Sequence, residues 1–146
     1  MATKVVDDKK RELPCLRIAR TLVPFGYLML WSDQYRFGEA YHLRIRDVLK
    51  LVDIIHWDSG KLGNGHRVRK CGAYLLVLQK PKISRTGKQK VIAKNWTDHG
   101  IREVWFEKVD RSIHPHIKPI GLIARLIAAV TGPGDLVLDP PPAASP

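Results

Sequence analysis

Residues 114–140, HPHIKPIGLIARLIAAVTGPGDLVLDP, put a lysine, a helix start and a carboxylate that closes an apolar run within one stretch. An aspartate at a strand end, here Asp139, accepts hydrogen bonds from a ligand amine or hydroxyl. Lys118, and the unpaired amide groups of a helix's first turn, donate to a ligand carboxylate. Open α/β sheets bind their ligands at the carboxyl ends of strands. These parts suit a zwitterionic, amino-acid-like ligand.

A second set of residues suits a different partner. Between Lys61 and Lys94 stand ten Lys or Arg residues and no Asp or Glu. Lys61, Gly63, Asn64, His66, Arg67, Arg69 and Lys70 fall in a glycine-rich segment, and Arg85 and Lys88 in a later one. Cations of this density neutralise phosphates, and Asn, His and Arg side chains can read base edges. Gly60, Gly63 and Gly65 allow close backbone approach to a surface. The two segments flank one apolar strand and are expected on one side of the sheet. The whole chain agrees, with 25 Lys and Arg against 14 acids, a net charge of +11 and a pI near 10.0. That balance favours a polyanionic partner: DNA, RNA or an anionic membrane surface.

The elements that must carry these residues follow from periodicity. Leu13 to Leu22 reads as a helix with Leu16, Ala19 and Leu22 on one face, and Pro24-Phe25-Gly26 ends it. YLMLW (27–31) is an apolar run of strand length, followed by the polar exit Ser32-Asp33. A second helix is expected over 35–51, then strands at 52–57 and 73–80 around the basic loop 58–72. PKISRTGKQK reads as an exposed flap, and short strands are expected within VIAKNW and REVWFEKV. Pro119 to Val130 is the clearest helix, with Ile120, Ile123, Ile127 and Val130 marking one face and Gly132-Pro133-Gly134 as its stop. Asp135 to Asp139 is expected to be a further strand. Buried strands alternating with helices predict an α/β fold with a largely parallel sheet of at least four strands and helices on both faces.

At 146 residues the chain is expected to form a single domain. Two cysteines, Cys15 and Cys71, make no disulfide framework, the N-terminus has no secretory signal, and no apolar run approaches a membrane span. A cytoplasmic protein without a membrane partner is expected. His114-x-His116 with Cys71 or His99 lacks the paired-cysteine spacing of a zinc site, so no metal is expected. Residues 140–146 read as a disordered tail.

His114-Pro115-His116-Ile117-Lys118-Pro119 resembles the H-P-x-x-K-P signature of the circularly permuted beta group of DNA amino-methyltransferases, which make N6-methyladenine or N4-methylcytosine. Pro133 to Pro140 resembles the group's P-G-D-x-V-x-D-P. Arg17 to Asp33 resembles its helix, turn and strand, and Asp53 to Lys80 its W-D-K-x-x-x-G-x-G-x-x-x-R segment and following strand. The resemblance covers roughly residues 12–140. It implies a partial Rossmann-like methyltransferase sheet with one antiparallel strand. It implies S-adenosylmethionine as cofactor, held by His114, Pro115, Lys118, Pro119, Asp139 and Pro140, with Ser32 and Asp33 bordering the crevice. Double-stranded DNA would meet the basic loop, and 81–113 would be a variable DNA-facing flap.

Two departures bear on activity. The group's catalytic motif, D/N/S-P-P followed by an aromatic residue, accepts the hydrogens of an exocyclic amine, localises its lone pair and stacks on the flipped base. It should precede the helix at Leu13 and is absent there. Asp139-Pro140-Pro141-Pro142 lacks the aromatic ring and stands at the cofactor motif. The cofactor motif itself should continue into a glycine, where this chain has prolines and alanines, so weak cofactor affinity is expected. The expectation is a DNA N-methyltransferase, or a truncated and inactive derivative of one with no catalytic residue of its own. A complementing methyltransferase fragment or self-association would supply what is missing. The alternative is a non-catalytic DNA-binding module.

Overall fold

The computed structural model describes residues 14–34, 45–93 and 95–139. Helix α1 (Pro14–Thr21) leads through a turn, in which the Gly26 amide donates to the Val23 carbonyl at 2.9 Å, into strand β1 (Tyr27–Ser32). Strands β2 (Lys50–Asp58) and β3 (Gly72–Gln79) follow, then a small hairpin of β4 (Lys82–Ile83) and β5 (Gln89–Lys90). Strand β6 (Val104–Phe106) and helix α2 (Ile120–Val130) complete the order.

The main sheet has the order β1-β3-β2-β6. Strand β3 is antiparallel to both β1 and β2, and β2 is parallel to β6. Three strands therefore share one direction and β3 alone is reversed between two of them. The expected largely parallel pairing is corrected: only the three-residue β2–β6 ladder is parallel. The reason lies in the connection. A parallel return needs a long crossover, usually a helix, and residues 59–71 contain none, so the chain turns straight back.

Side chains alternate across this sheet, so each apolar strand feeds two cores. Leu28, Leu30, Ile54, Leu76 and Leu78 pack with Ala19 of α1 and with Ile45 and Leu49 on one face. Met29, Trp31, Ile55, Leu75 and Val77 pack with Leu122 and Leu126 of α2 on the other, together with Trp96, Ile101 and Trp105. Each fully buried Leu or Ile contributes about 2 kcal/mol. The protein is thus α/β, with a four-stranded mixed sheet between helical layers. No helix among the described residues is long and apolar enough to cross a membrane.

Several expectations need correction. The helix expected over 35–51 lies largely outside the described residues. Within them, Ile45 and Leu49 form only a closing turn, with the Leu49 amide on the Ile45 carbonyl at 2.9 Å, and Lys50 and Leu51 already belong to β2. Residues 135–139 are not a strand: Leu136 is 95% exposed, and no described strand pairs with them. The fourth sheet strand is β6 instead, inside the REVWFEKV segment. On α2 the buried stripe is Leu122, Leu126 and Ala129, while Ile120 is 67% exposed. Most residues of this helix are apolar, so periodicity could not choose the face; the position of the sheet did.

Candidate functional site

The carboxyl ends of β1, β2 and β6 meet at one edge of the sheet, where β3 begins. There Trp31 of β1 and Trp57 of β2 lie edge to face, with ring centroids 5.8 Å apart. The Lys118 ammonium stands 5.0 Å from the Trp31 ring centroid and 5.9 Å from that of Trp57. Cations are attracted to aromatic faces at such distances. Burial, and secondarily the charge of Arg111, pushes the Lys118 ammonium below its usual pKa. It makes no hydrogen bond or ion pair to an acceptor among the described residues. A half-buried ammonium with three donors and only ring faces against it suits an oxygen-bearing anion.

The backbone before Lys118 is held by a turn. The His116 amide donates to Nδ1 of His114 at 3.1 Å, and the Ile117 amide to the His114 carbonyl at 3.2 Å. His114 and Pro115 are exposed; Pro119 is buried and precedes the first turn of α2, its carbonyl accepting from Ile123 at 3.1 Å.

The amide groups at the start of α2 are not available to a ligand in the way the sequence suggested. Glu107, which follows β6, accepts from the Gly121 amide at 2.8 Å, the Leu122 amide at 3.0 Å and the Trp105 indole at 2.8 Å. Burial alone would raise this carboxyl, but the three donated bonds outweigh it and hold the pKa below the ordinary value. Proline cannot cap with its side chain, so a carboxylate from 14 residues upstream does so. Asp98 fixes the other flank through two bonds of 2.7 Å from Arg125, whose guanidinium is the main cause of the lowered Asp98 pKa. Neither acid carries a local signal in the sequence, because both partners are distant along the chain.

Ser32 stands one residue past Trp31 and hence on the opposite face, its hydroxyl donating to the Asp33 carbonyl at 3.0 Å. Asp33 borders a shallow cleft lined by His56, Arg69, Lys70, Cys71 and Tyr74, with the His56 and Tyr74 rings stacked 4.9 Å apart. No described contact joins Asp139 to Lys118; Asp139 is exposed, and Pro140 lies outside the described residues. The fit of these residues to S-adenosylmethionine is therefore one-sided. Lys118 offers a seat for a carboxylate, while α2's first amides are taken by Glu107.

The basic loop 60–70 rises from the same edge and is exposed throughout. Its stem is laced by the Ser59 amide and hydroxyl on the Cys71 carbonyl, at 2.9 and 2.7 Å, and by the Gly63 amide on the Lys70 carbonyl. Arg69 Nε donates to the Gly63 carbonyl at 3.4 Å. A Cβ on Gly65 would lie 2.0 Å from the Val68 carbonyl oxygen, so that glycine serves the loop's own closure. Asn64, His66 and Arg67 project from this bend, and Lys61 lies near enough to Asp110 to help lower its carboxyl after the larger effect of Ser112. Arg85 and Lys88 are elsewhere. Gly72 opens β3 opposite Asp58, whereas Gln79 ends it opposite Tyr27 and Lys50, at the far edge of the sheet. The two basic segments thus sit at opposite ends of β3, not on one side, since one strand cannot carry both its flanking loops to the same end.

The sequence profile of the DNA methylase family matches residues 16–140. The chain is also similar to the Type II methyltransferase M.HhaII of Haemophilus parahaemolyticus, 42% identical over 124 residues that cover 83% of this chain and 51% of that protein. The chain spans about half the length of the curated relative it matches. With a family match over most of its residues and a relative 42% identical over 83% of its length, the chain belongs to the DNA methylase family.

Proposed function

We propose that this chain is part of a DNA amino-methyltransferase, acting on adenine N6 or cytosine N4, and that it provides a DNA-facing loop and the carboxylate end of an S-adenosylmethionine site. The observation that carries the reading is Lys118: its ammonium is half-buried over Trp31 and Trp57 with no acceptor among the described residues. The reversed strand β3 between β1 and β2 supports a Rossmann-like methyltransferase sheet with a single antiparallel strand.

S-adenosylmethionine, when bound, supplies a methyl group on a positively charged sulfur. Lys118 pairs with its carboxylate, His114 and Pro115 shape the turn that presents Lys118, and Glu107 fixes the helix start behind it. The loop carrying Lys61, Gly63, Asn64, His66, Arg67, Arg69 and Lys70 takes duplex DNA beside the Asp33 and His56 cleft. The sequence holds no D/N/S-P-P-aromatic tetrapeptide, so these residues bind without activating the target amine. A complementing methyltransferase polypeptide or a second copy would cover exposed Ile120, Ile127 and Leu136 to Leu138.

Equilibrium dialysis with labelled S-adenosylmethionine tests this. Saturable binding that falls at least about tenfold in Lys118→Met, a loss of about 1.4 kcal/mol, is expected. Equal binding by parent and variant refutes the assignment of Lys118. No binding by the parent favours the second reading, a non-catalytic DNA-binding module, which the occupied amides of α2 and the exposure of Asp139 support.

A further inference from the structure

The two edges of the main sheet are unlike. The outer strand β6 has three residues and directly follows Arg102 and Glu103, and a short edge flanked by charge resists pairing with another chain. The opposite edge is β1, six residues reading YLMLWS, with no charge and no proline, and paired to β3 alone. All six are half-buried, while Leu75 to Leu78, which face them across the ladder, are buried. The phase of the ladder fixes which backbone groups of β1 are open. At one end of β3 the Lys80 amide donates to the Gly26 carbonyl at 2.9 Å, so the even-numbered residues of β3 bond toward β1. At the other end the Ser59 amide donates to the Cys71 carbonyl at 2.9 Å, so the odd-numbered ones bond toward β2. Leu28, Leu30 and Ser32 therefore bond to β3. Tyr27, Met29 and Trp31 turn their amides and carbonyls outward, toward no backbone partner among the described residues.

We infer that β1 pairs antiparallel with β1 of a second copy of this chain, joining two sheets into one across a two-fold axis at Met29. The strand is self-complementary in that register. With Met29 opposite Met29, Tyr27 of one copy stands opposite Trp31 of the other, and Leu28 opposite Leu30. The outward-facing residues then exchange about six backbone hydrogen bonds, two per pair. Faces match as well. Tyr27, Met29 and Trp31 belong to the core beneath α2, and Leu28 and Leu30 to the core beneath α1, so both cores continue across the axis. A slip of one residue would set each core against the other. Charge points to the same occupant. Each chain carries +11, so two copies repel over most of their surface and meet without opposing like charges only along an uncharged strand. An acidic or basic peptide would find no counter-charge on β1. One strand is a small contact, so the dimer forms and dissociates with concentration. This pairing needs neither DNA nor cofactor, and its test uses neither ligand.

The test is sedimentation equilibrium of the purified chain from about 5 to about 200 μM, with amide hydrogen exchange read by NMR at both limits. A monomer–dimer equilibrium is expected, in which the amides of Tyr27, Met29 and Trp31 exchange at least about threefold more slowly at the upper concentration, while those of Leu28 and Leu30, already bonded to β3, change less. Met29→Pro is expected to be monomeric, because proline at an outward-facing position of an edge strand removes no bond to β3. If this variant loses the far-ultraviolet dichroism of the parent, exchange in the parent decides alone. A monomer at every concentration overturns the inference, whether its outward amides exchange fast, leaving the edge open, or are protected, with another segment of the same chain covering them. A dimer whose outward amides stay fast overturns the assignment to β1, as does a Met29→Pro variant that folds and still dimerises.

Discussion

Glu107→Ala removes the acceptor for three donors at once: the Gly121 and Leu122 amides and the Trp105 indole. Loss of a helix cap costs about 1 kcal/mol, and loss of a negative charge beside a helix N-terminus about 0.5 more. The indole N–H, partly screened from water beside α2, adds about 1 kcal/mol when left without a partner. The total is about 2.5 kcal/mol, which lowers Tm by about 8–10 °C in a chain of this size. Glu107→Gln keeps one acceptor oxygen and loses the charge, so about half that fall is expected. The pH dependence follows from the lowered carboxyl value. Its stabilisation is fully present above the unfolded value of about 4.3 and disappears as pH falls through the lower folded value, where parent and Glu107→Gln should converge. Thermal melts followed by tryptophan fluorescence, from neutral pH down to about pH 3, read both effects. The reasoning fails if Glu107→Ala melts within about 2 °C of the parent at neutral pH, or if the gap between parent and Glu107→Gln stays constant down to the lowest pH.

Three further substitutions probe other parts of the fold. Leu122→Ala opens a void in the core beneath α2 and should cost about 3 kcal/mol, whereas Ile120→Ala, on the exposed face, should cost under about 0.5; urea unfolding with equal costs would contradict the face observed. Gln79 is fully buried, and Gln79→Leu leaves the Ile92 amide without its acceptor while the Phe25 and Ile92 carbonyls keep Asn95 Nδ2 and the Tyr27 hydroxyl as donors, so a loss of about 1–3 kcal/mol is expected, together with faster amide exchange at Ile92; parent-like exchange there would show that Gln79 does not hold the base of the hairpin.

Much of the architecture was legible in the residues. The apolar runs YLMLW and AYLLVL read as strands, and each divides its side chains between two cores. The Lys118 signature, the exposed basic loop and the helix after Pro119 were visible because each depends on local spacing. The face of α2 was not: with apolar residues on nearly every side, only its packing against Leu75 and Val77 selected Leu122 and Leu126 over Ile120 and Ile127. The apolar stretch 135–139 read as a strand because side-chain pattern says nothing of whether a ladder partner is present.

By itself, then, the sequence determined the helices near Pro14 and Ile120 and the three long strands, where the positive charge accumulates, and which lysine stands at a helix start. Tertiary structure decided which distant groups meet. It set Glu107 and Asp98 on α2, Trp31 and Trp57 beneath Lys118, and the two halves of one basic block at opposite ends of β3. The physical reason is that strand direction and long-range hydrogen bonds depend on the path of the whole chain, while helix, strand and charge patterns are written within a few residues.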